Sequence, residues 1–210
     1  MWLALVAMAS AVEVTLPPTD PGTRALLSVG GEPLATASAG VLHTRSLPSR
    51  PLSLGATLTV PVFLLEGADH RLELSARTPI ARGERFFVDG RVAAREQHLS
   101  GTLIAGETLS LHAQAIAGAR WERGFVALEL GGSANLVSQL RPQEAWVRDH
   151  PDASAAWYGP SGGLASVAVQ GARRVSDGVE LSARAGLDTP WRGGSRTAPM
   201  FFGVGCTLWL

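Results

Sequence analysis

Apolar and polar residues alternate along most of this chain. Between residues 52 and 60 the even positions hold Leu52, Leu54, Ala56, Leu58 and Val60, and the odd ones Ser53, Gly55, Thr57 and Thr59. The segment 71–80 sets Leu72, Leu74, Ala76 and Ile80 against Glu73, Ser75 and Arg77. The segment 108–118 sets Leu109, Leu111, Ala113 and Ala115 against Ser110, His112 and Gln114. The segment 179–187 sets Val179, Leu181, Ala183, Ala185 and Leu187 against Glu180, Ser182 and Arg184. A period of two is the mark of a strand with two unlike faces. Further strands are expected at 34–44, 85–96, 123–136, 162–173 and 198–210, with a weaker one at 25–31. Ten strands result, each near the roughly 9–11 residues of a tilted membrane strand. Eight strands would keep the same parity.

No window holds an i, i+3, i+4, i+7 apolar stripe for long, so the expected fold is all-β with antiparallel neighbours. A soluble sandwich would turn its polar face to water and load it with solvating charge. Here that face carries Gly, Ser and Thr with a few charges of both signs: Glu73, Arg77, Asp89, Arg91, Arg95, Glu129, Glu180 and Arg184, beside His112. Small residues and mutually neutralising ions suit a narrow barrel lumen. The joins near 45–51, 80–84, 119–122 and 174–177 are short, and those near 64–70, 97–106, 137–160 and 188–198 mostly longer. Outer-membrane barrels show that asymmetry, with short periplasmic turns and long external loops. Closing the sheet would leave no unpaired edge in lipid. The expectation is a closed antiparallel up-and-down transmembrane β-barrel over 25–210, with a side-chain-filled polar lumen.

The first eleven residues, MWLALVAMASA, are apolar and end on Ala9-Ser10-Ala11, as at a signal-peptide cleavage point, although no Arg precedes the apolar run. Residues 12–24 then read as a periplasmic N-terminal segment. No later run reaches the roughly 20 apolar residues of a spanning helix. The 18 basic residues, all Arg, balance 18 acidic ones, so binding of nucleic acid by bulk charge is excluded. The one cysteine, Cys206, precludes an internal disulfide or a multi-cysteine metal site.

Trp121, His150-Pro151-Asp152, Ala156-Trp157-Tyr158, Ser161-Gly162-Gly163 and the strand Ser182 to Leu187 together resemble a group of small, uncharacterised bacterial outer-membrane β-barrel proteins. Ala156 stands where Gly is usual there, and Leu210 where the final residue is commonly aromatic. Alternate large residues running to the chain end, Leu208 and Leu210, also resemble the C-terminal signal of such barrels. The resemblance implies fold and outer-membrane location, with no activity attached.

Candidate chemistry is sparse. None of the five histidines is spaced for a shared metal, and no Gly pair stands in a phosphate-binding context, so neither metal nor cofactor is expected. His112 should face the lumen near Glu129 or Glu73. His98 and Ser100, placed in an external loop, could meet Asp149 or Asp152 as a hydrolytic set. Trp157, Tyr158 and Trp191 are expected in the outer aromatic girdle, Trp121 and Trp209 in the inner one. Arg148, Asp149, His150 and Asp152 share the longest loop with Trp146, where mixed charge could contact lipopolysaccharide phosphates. The leading expectation is a monomeric, non-enzymatic outer-membrane barrel, inserted by the barrel-assembly machinery, whose partners are lipid and lipopolysaccharide. Its rivals are an outer-membrane lipid-modifying or proteolytic enzyme, and a soluble secreted barrel carrying an apolar ligand. The soluble rival requires Leu52, Leu54, Leu58, Leu72, Leu74, Leu181 and Val204 to point inward.

Overall fold

The computed structural model describes residues 21–32, 34–62, 69–100, 103–160, 162–190 and 200–210. The proposed signal peptide and most of the segment after it lie outside these residues, as does Trp191. Ten long strands form the wall: β1 Gly22–Glu32, β2 Leu34–Ser46, β3 Pro51–Pro61, β4 His70–Arg82, β5 Phe86–Ser100, β6 Ile104–Trp121, β7 Gly124–Pro142, β9 Gly163–Ser176, β10 Val179–Pro190 and β11 Met200–Trp209. Each pairs antiparallel with its chain neighbour, and β1 pairs with β11 from Arg24↔Trp209 to Gly31↔Phe202, which closes the sheet. A helix, α1 Glu144–Asp149, and a three-residue strand, β8 Ala156–Tyr158, follow β7. β8 pairs with β7 at Ser138, Gln139 and Leu140, above the stretch that β9 occupies.

The alternation decides which face is which. Leu54, Leu58, Leu72, Leu74, Leu181 and Val204 all point outward and are about half exposed, Leu74 at 56%. Their strand neighbours Ser53, Thr57, Thr59, Glu73, Ser182 and Arg184 are buried inside. The soluble rival required the reverse. An exterior this rich in Leu and Val would cost roughly 25 cal/mol for every Å² of apolar surface left in water. It is the lipid-facing band of a transmembrane barrel.

Four short turns lie at one end, between β2 and β3, β4 and β5, β6 and β7, and β9 and β10, while β1 and β2, one residue apart, join at the other. Glu122-Arg123 and Asp177-Gly178 are both two-residue turns. Each turn or its flank carries two arginines: Arg45 and Arg50, Arg82 and Arg85, Arg120 and Arg123, Arg173 and Arg174. At the other end β6 and β7 run on past their neighbours. Leu136 is a bulged residue there, since Leu109 pairs with Val137 and Ser110 with Asn135. Gly162, at φ 114°, occupies the left-handed region as the chain enters β9, a conformation open to glycine.

Glycine also sets how tightly the wall curls. A Cβ on Gly118 would overlap the carbonyl oxygen of Val126 and the Cα and Cβ of Ala127 on the adjoining strand. Gly118→Ala is therefore expected to destabilise the barrel by about 1–3 kcal/mol through overpacking. Urea unfolding in lipid vesicles would read it. Gly178→Ala, with nothing within 4 Å of the new Cβ, is the control for a steric effect at Gly118.

Candidate functional site

The lumen holds the chemistry. Its upper part is a chain of charged hydrogen bonds that follows the wall from β4 to β10. Arg95 donates to Glu73 Oε2 from Nε and Nη2, at 2.9 and 2.6 Å, and Arg91 Nη2 donates to Oε1 of the same carboxylate at 2.5 Å. Arg91 Nη1 donates to Gln114 Oε1 at 2.8 Å, and Gln114 Nε2 passes the link to Glu129 Oε1 at 2.8 Å. Arg184 completes it with two bonds to the Glu129 carboxylate, 3.0 Å from Nε and 2.5 Å from Nη2. Two carboxylates and three guanidiniums share one buried network, where each charge depends on the others for its solvation. Arg184 also lies over the Phe201 ring, 4.5 Å from its centroid.

A second knot lies toward the short turns. Arg77 donates to Asp89 Oδ2 from Nε and Nη2 at 3.0 and 2.7 Å, and Arg82 approaches Oδ1 at 3.8 Å. Glu180 is fully buried in the same region. His112 faces the lumen and meets Ser110, Nε2 to Oγ 3.1 Å.

The two sides of the lumen differ in bulk. The inner positions of β1, β2, β3 and β11 are largely small, among them Ser28, Ser38, Gly40, Gly55, Thr57, Gly203 and Gly205. Most of the long side chains come from β4, β5, β6, β7 and β10. Ser53 and Thr59 on the small side are 0% and 2% exposed, and Arg77 and Arg71 of the adjoining β4 stand opposite them in register. Thr44 and Ser53 hydrogen-bond at 2.8 Å, and Ser38 donates to Thr59 at 3.0 Å.

The polar lumen expected from the sequence gains an apolar patch at its short-turn end. Phe87, Ile116, Phe125, Ala127 and Ala172 form a buried apolar cluster there, with Phe87 and Phe125 edge to face at 5.6 Å. Trp209 is a correction to the expected girdle. It points into the lumen, with the Arg24 guanidinium 3.7 Å and that of Arg174 5.1 Å from its ring centroid. Stacked cations give an indole a good partner inside a barrel, so it serves as a plug and not as a girdle. Arg24, Arg71, Gln114 and Gln170, all lumenal, were not singled out in the sequence. The alternation that placed Glu73 would have placed them too.

The rest of the girdle is exposed: Trp121 near the short turns, Trp157 and Tyr158 on β8 at the other end. Arg148 and Asp149 fall in α1, His150 closes it with its ring stacked 4.2 Å from Trp146, and Asp152 sits in the turn beyond; all four are exposed. The suggested hydrolytic set is not assembled. His98 and Ser100 belong to β5 and not to a loop, Ser100 Oγ donates to Asp69 Oδ1 at 2.8 Å, and His98 stacks on His70 with Glu107 3.6 Å away. Among the described residues no group of three His, Cys, Asp or Glu is placed to hold a metal ion.

No protein-family description and no curated protein matches the sequence. Solved structures do match. An outer-membrane channel from Pseudomonas putida is similar with a TM-score of 0.57 at 11% identity, over 91% of this chain and 96% of that one. Ail, the attachment invasion locus protein of Yersinia pestis, gives 0.43 at 9% identity over 91% of this chain and 100% of that one. The translocator domain of the autotransporter NalP from Neisseria meningitidis gives 0.41 at 11% identity over 92% and 90%. At such identities the likeness speaks for the fold alone. The chain has the fold of the bacterial outer-membrane β-barrels, closed here by ten strands.

Proposed function

We propose that this protein is an outer-membrane β-barrel whose lumen is shut by its own side chains and whose work, structural or ligand-binding, is done at the external rim. The observation that carries the reading is the burial of lumenal Ser53 and Thr59 together with that of a network running from Arg95 through Glu73, Arg91, Gln114 and Glu129 to Arg184. A lumen lined by hydrated side chains would leave such hydroxyls accessible. The apolar cluster and the Trp209 plug below it support the same reading.

The external rim offers α1 and β8, with Arg148, Asp149, His150 and Asp152 next to the exposed Trp157 and Tyr158. That mixture of charge and amphipathic rings suits the headgroup level of the outer leaflet, where lipopolysaccharide supplies phosphate. The reading is monomeric and non-enzymatic; Ser100 held by Asp69 supports the second point.

The similar channel shares fold and not sequence with this chain, so conduction has to be measured here. Protein refolded into a planar bilayer is expected to give no sustained current above the bare membrane, with folding confirmed by a boiling-dependent shift on a gel. A steady, reproducible open-channel current would overturn the closed-lumen reading.

A further inference from the structure

The chain is neutral overall, yet its charge is not evenly spread. The four short turns and their flanks hold eight arginines against Glu84, Glu122 and Asp177, an excess of five positive charges at one end. Among the described residues at the opposite end, Asp69, Glu96, Glu107, Glu144, Asp149 and Asp152 outnumber Arg141 and Arg148. We propose that the short-turn arginines form a collar that binds the phosphodiesters of anionic phospholipids in the leaflet facing the periplasm. The inference rests on the membrane insertion proposed above and extends it to a named lipid chemistry.

Four observations lead there. Each of the four turns at that end contributes, so the charge runs round most of the circumference. A soluble partner docks on one face, whereas the lipid shell of a barrel meets all of it. The level is also right: Phe86 and Trp121, 70% and 53% exposed, stand on the outer wall beside these turns, where ring side chains mark the boundary of the hydrocarbon. One arginine per turn is available, since Arg45, Arg85, Arg123 and Arg173 are exposed and no ion pair engages them among the described residues. Finally, every cation is a guanidinium, whose planar fork matches two phosphate oxygens and whose charge is permanent. Glu84, Glu122 and Asp177 reduce the field without cancelling it.

The test is the composition of the lipid that the full-length protein retains. The protein is refolded into nanodiscs of equimolar phosphatidylglycerol and phosphatidylcholine, released, and the bound lipids are counted by native mass spectrometry. Retained phosphatidylglycerol is expected to exceed phosphatidylcholine by roughly threefold at low salt and to approach parity near 1 M salt, where the screening length is ~3 Å. The variant Arg45→Gln/Arg85→Gln/Arg123→Gln/Arg173→Gln should retain the two lipids equally while keeping its boiling-dependent gel shift. Should that variant not fold, Arg45→Gln/Arg173→Gln, altering two turns only, should show about half the enrichment. Equal retention by the folded wild type, or enrichment unchanged in a folded variant, would overturn the collar. Failure of the wild type to insert at all would instead sink the membrane reading beneath it.

Discussion

Replacing Glu73 by alanine is expected to be among the most damaging single changes in the molecule, at about 3–5 kcal/mol. The carboxylate receives three charged hydrogen bonds, two from Arg95 and one from Arg91, and all three side chains are buried. Removing it strands two buried guanidiniums. The loss is dominated by that stranding, not by the worth of the ion pairs themselves. Glu73→Gln, which keeps an acceptor oxygen but loses the charge, should fall between alanine and wild type. Arg95→Met, which leaves Arg91 to neutralise the carboxylate, should cost less than Glu73→Ala. Urea unfolding in lipid vesicles, followed by the gel shift, measures all three. A Glu73→Ala variant as stable as wild type would mean that water already fills the lumen.

The second large effect lies on the other face of the same strand. Leu74→Arg is expected to cost about 2–4 kcal/mol when the protein is folded into a bilayer, the range for Arg at the midplane of a barrel exterior. Leu74 is 56% exposed. In a water-soluble protein a substitution at such a site usually changes stability by less than about 0.5 kcal/mol. The two environments thus predict clearly different outcomes for one residue. Its rim-level counterpart Phe86→Arg should cost under about 1 kcal/mol, because depth governs the penalty. Equal and negligible costs at both positions would remove lipid from the account.

Much of this architecture is written in the period of the chain. The segments from Leu52 to Val60 and Val179 to Leu187 read as strands because each apolar side chain faces lipid and each small or charged one faces the lumen, with no exception to blur the pattern. The pattern weakens where that contrast disappears. β6 and β7 run further than 108–118 and 123–136, since Ala105, Gly106, Gln139 and Arg141 lie beyond the apolar band, where neither face needs to be greasy. α1 is only six residues long and buries none of them, so it leaves no apolar stripe to detect. The lumen's lower cluster was hidden for a related reason. Phe87 and Phe125 sit on the face that elsewhere is polar, and only the closing of the barrel reveals that this end is narrow enough to be packed with rings. Trp209 alternates with Leu208 and Leu210, so its inward direction was legible; what drew it to the girdle was its residue type. The partners of Glu73 could be guessed as basic, but the link through Gln114 depends on register between β5, β6 and β7 that periodicity does not carry.

The unequal height of the wall has a consequence for how the protein meets its surroundings. β7 is 19 residues long and β1 only 11, and at about 3.3 Å per residue the difference is some 25 Å of strand, reduced by tilt. The mouth is therefore cut obliquely, like a quill. Helix α1 and β8 hang from the tall side, their Trp157 and Tyr158 held up by the pairing with Ser138 and Gln139. An antibody, a phage tail fibre or a protease arriving from outside would reach this raised lip before the other described parts of the rim. Surface recognition of the barrel should be one-sided, and variation in the sequence of the lip should alter what recognises the cell without altering how the barrel stands in the membrane.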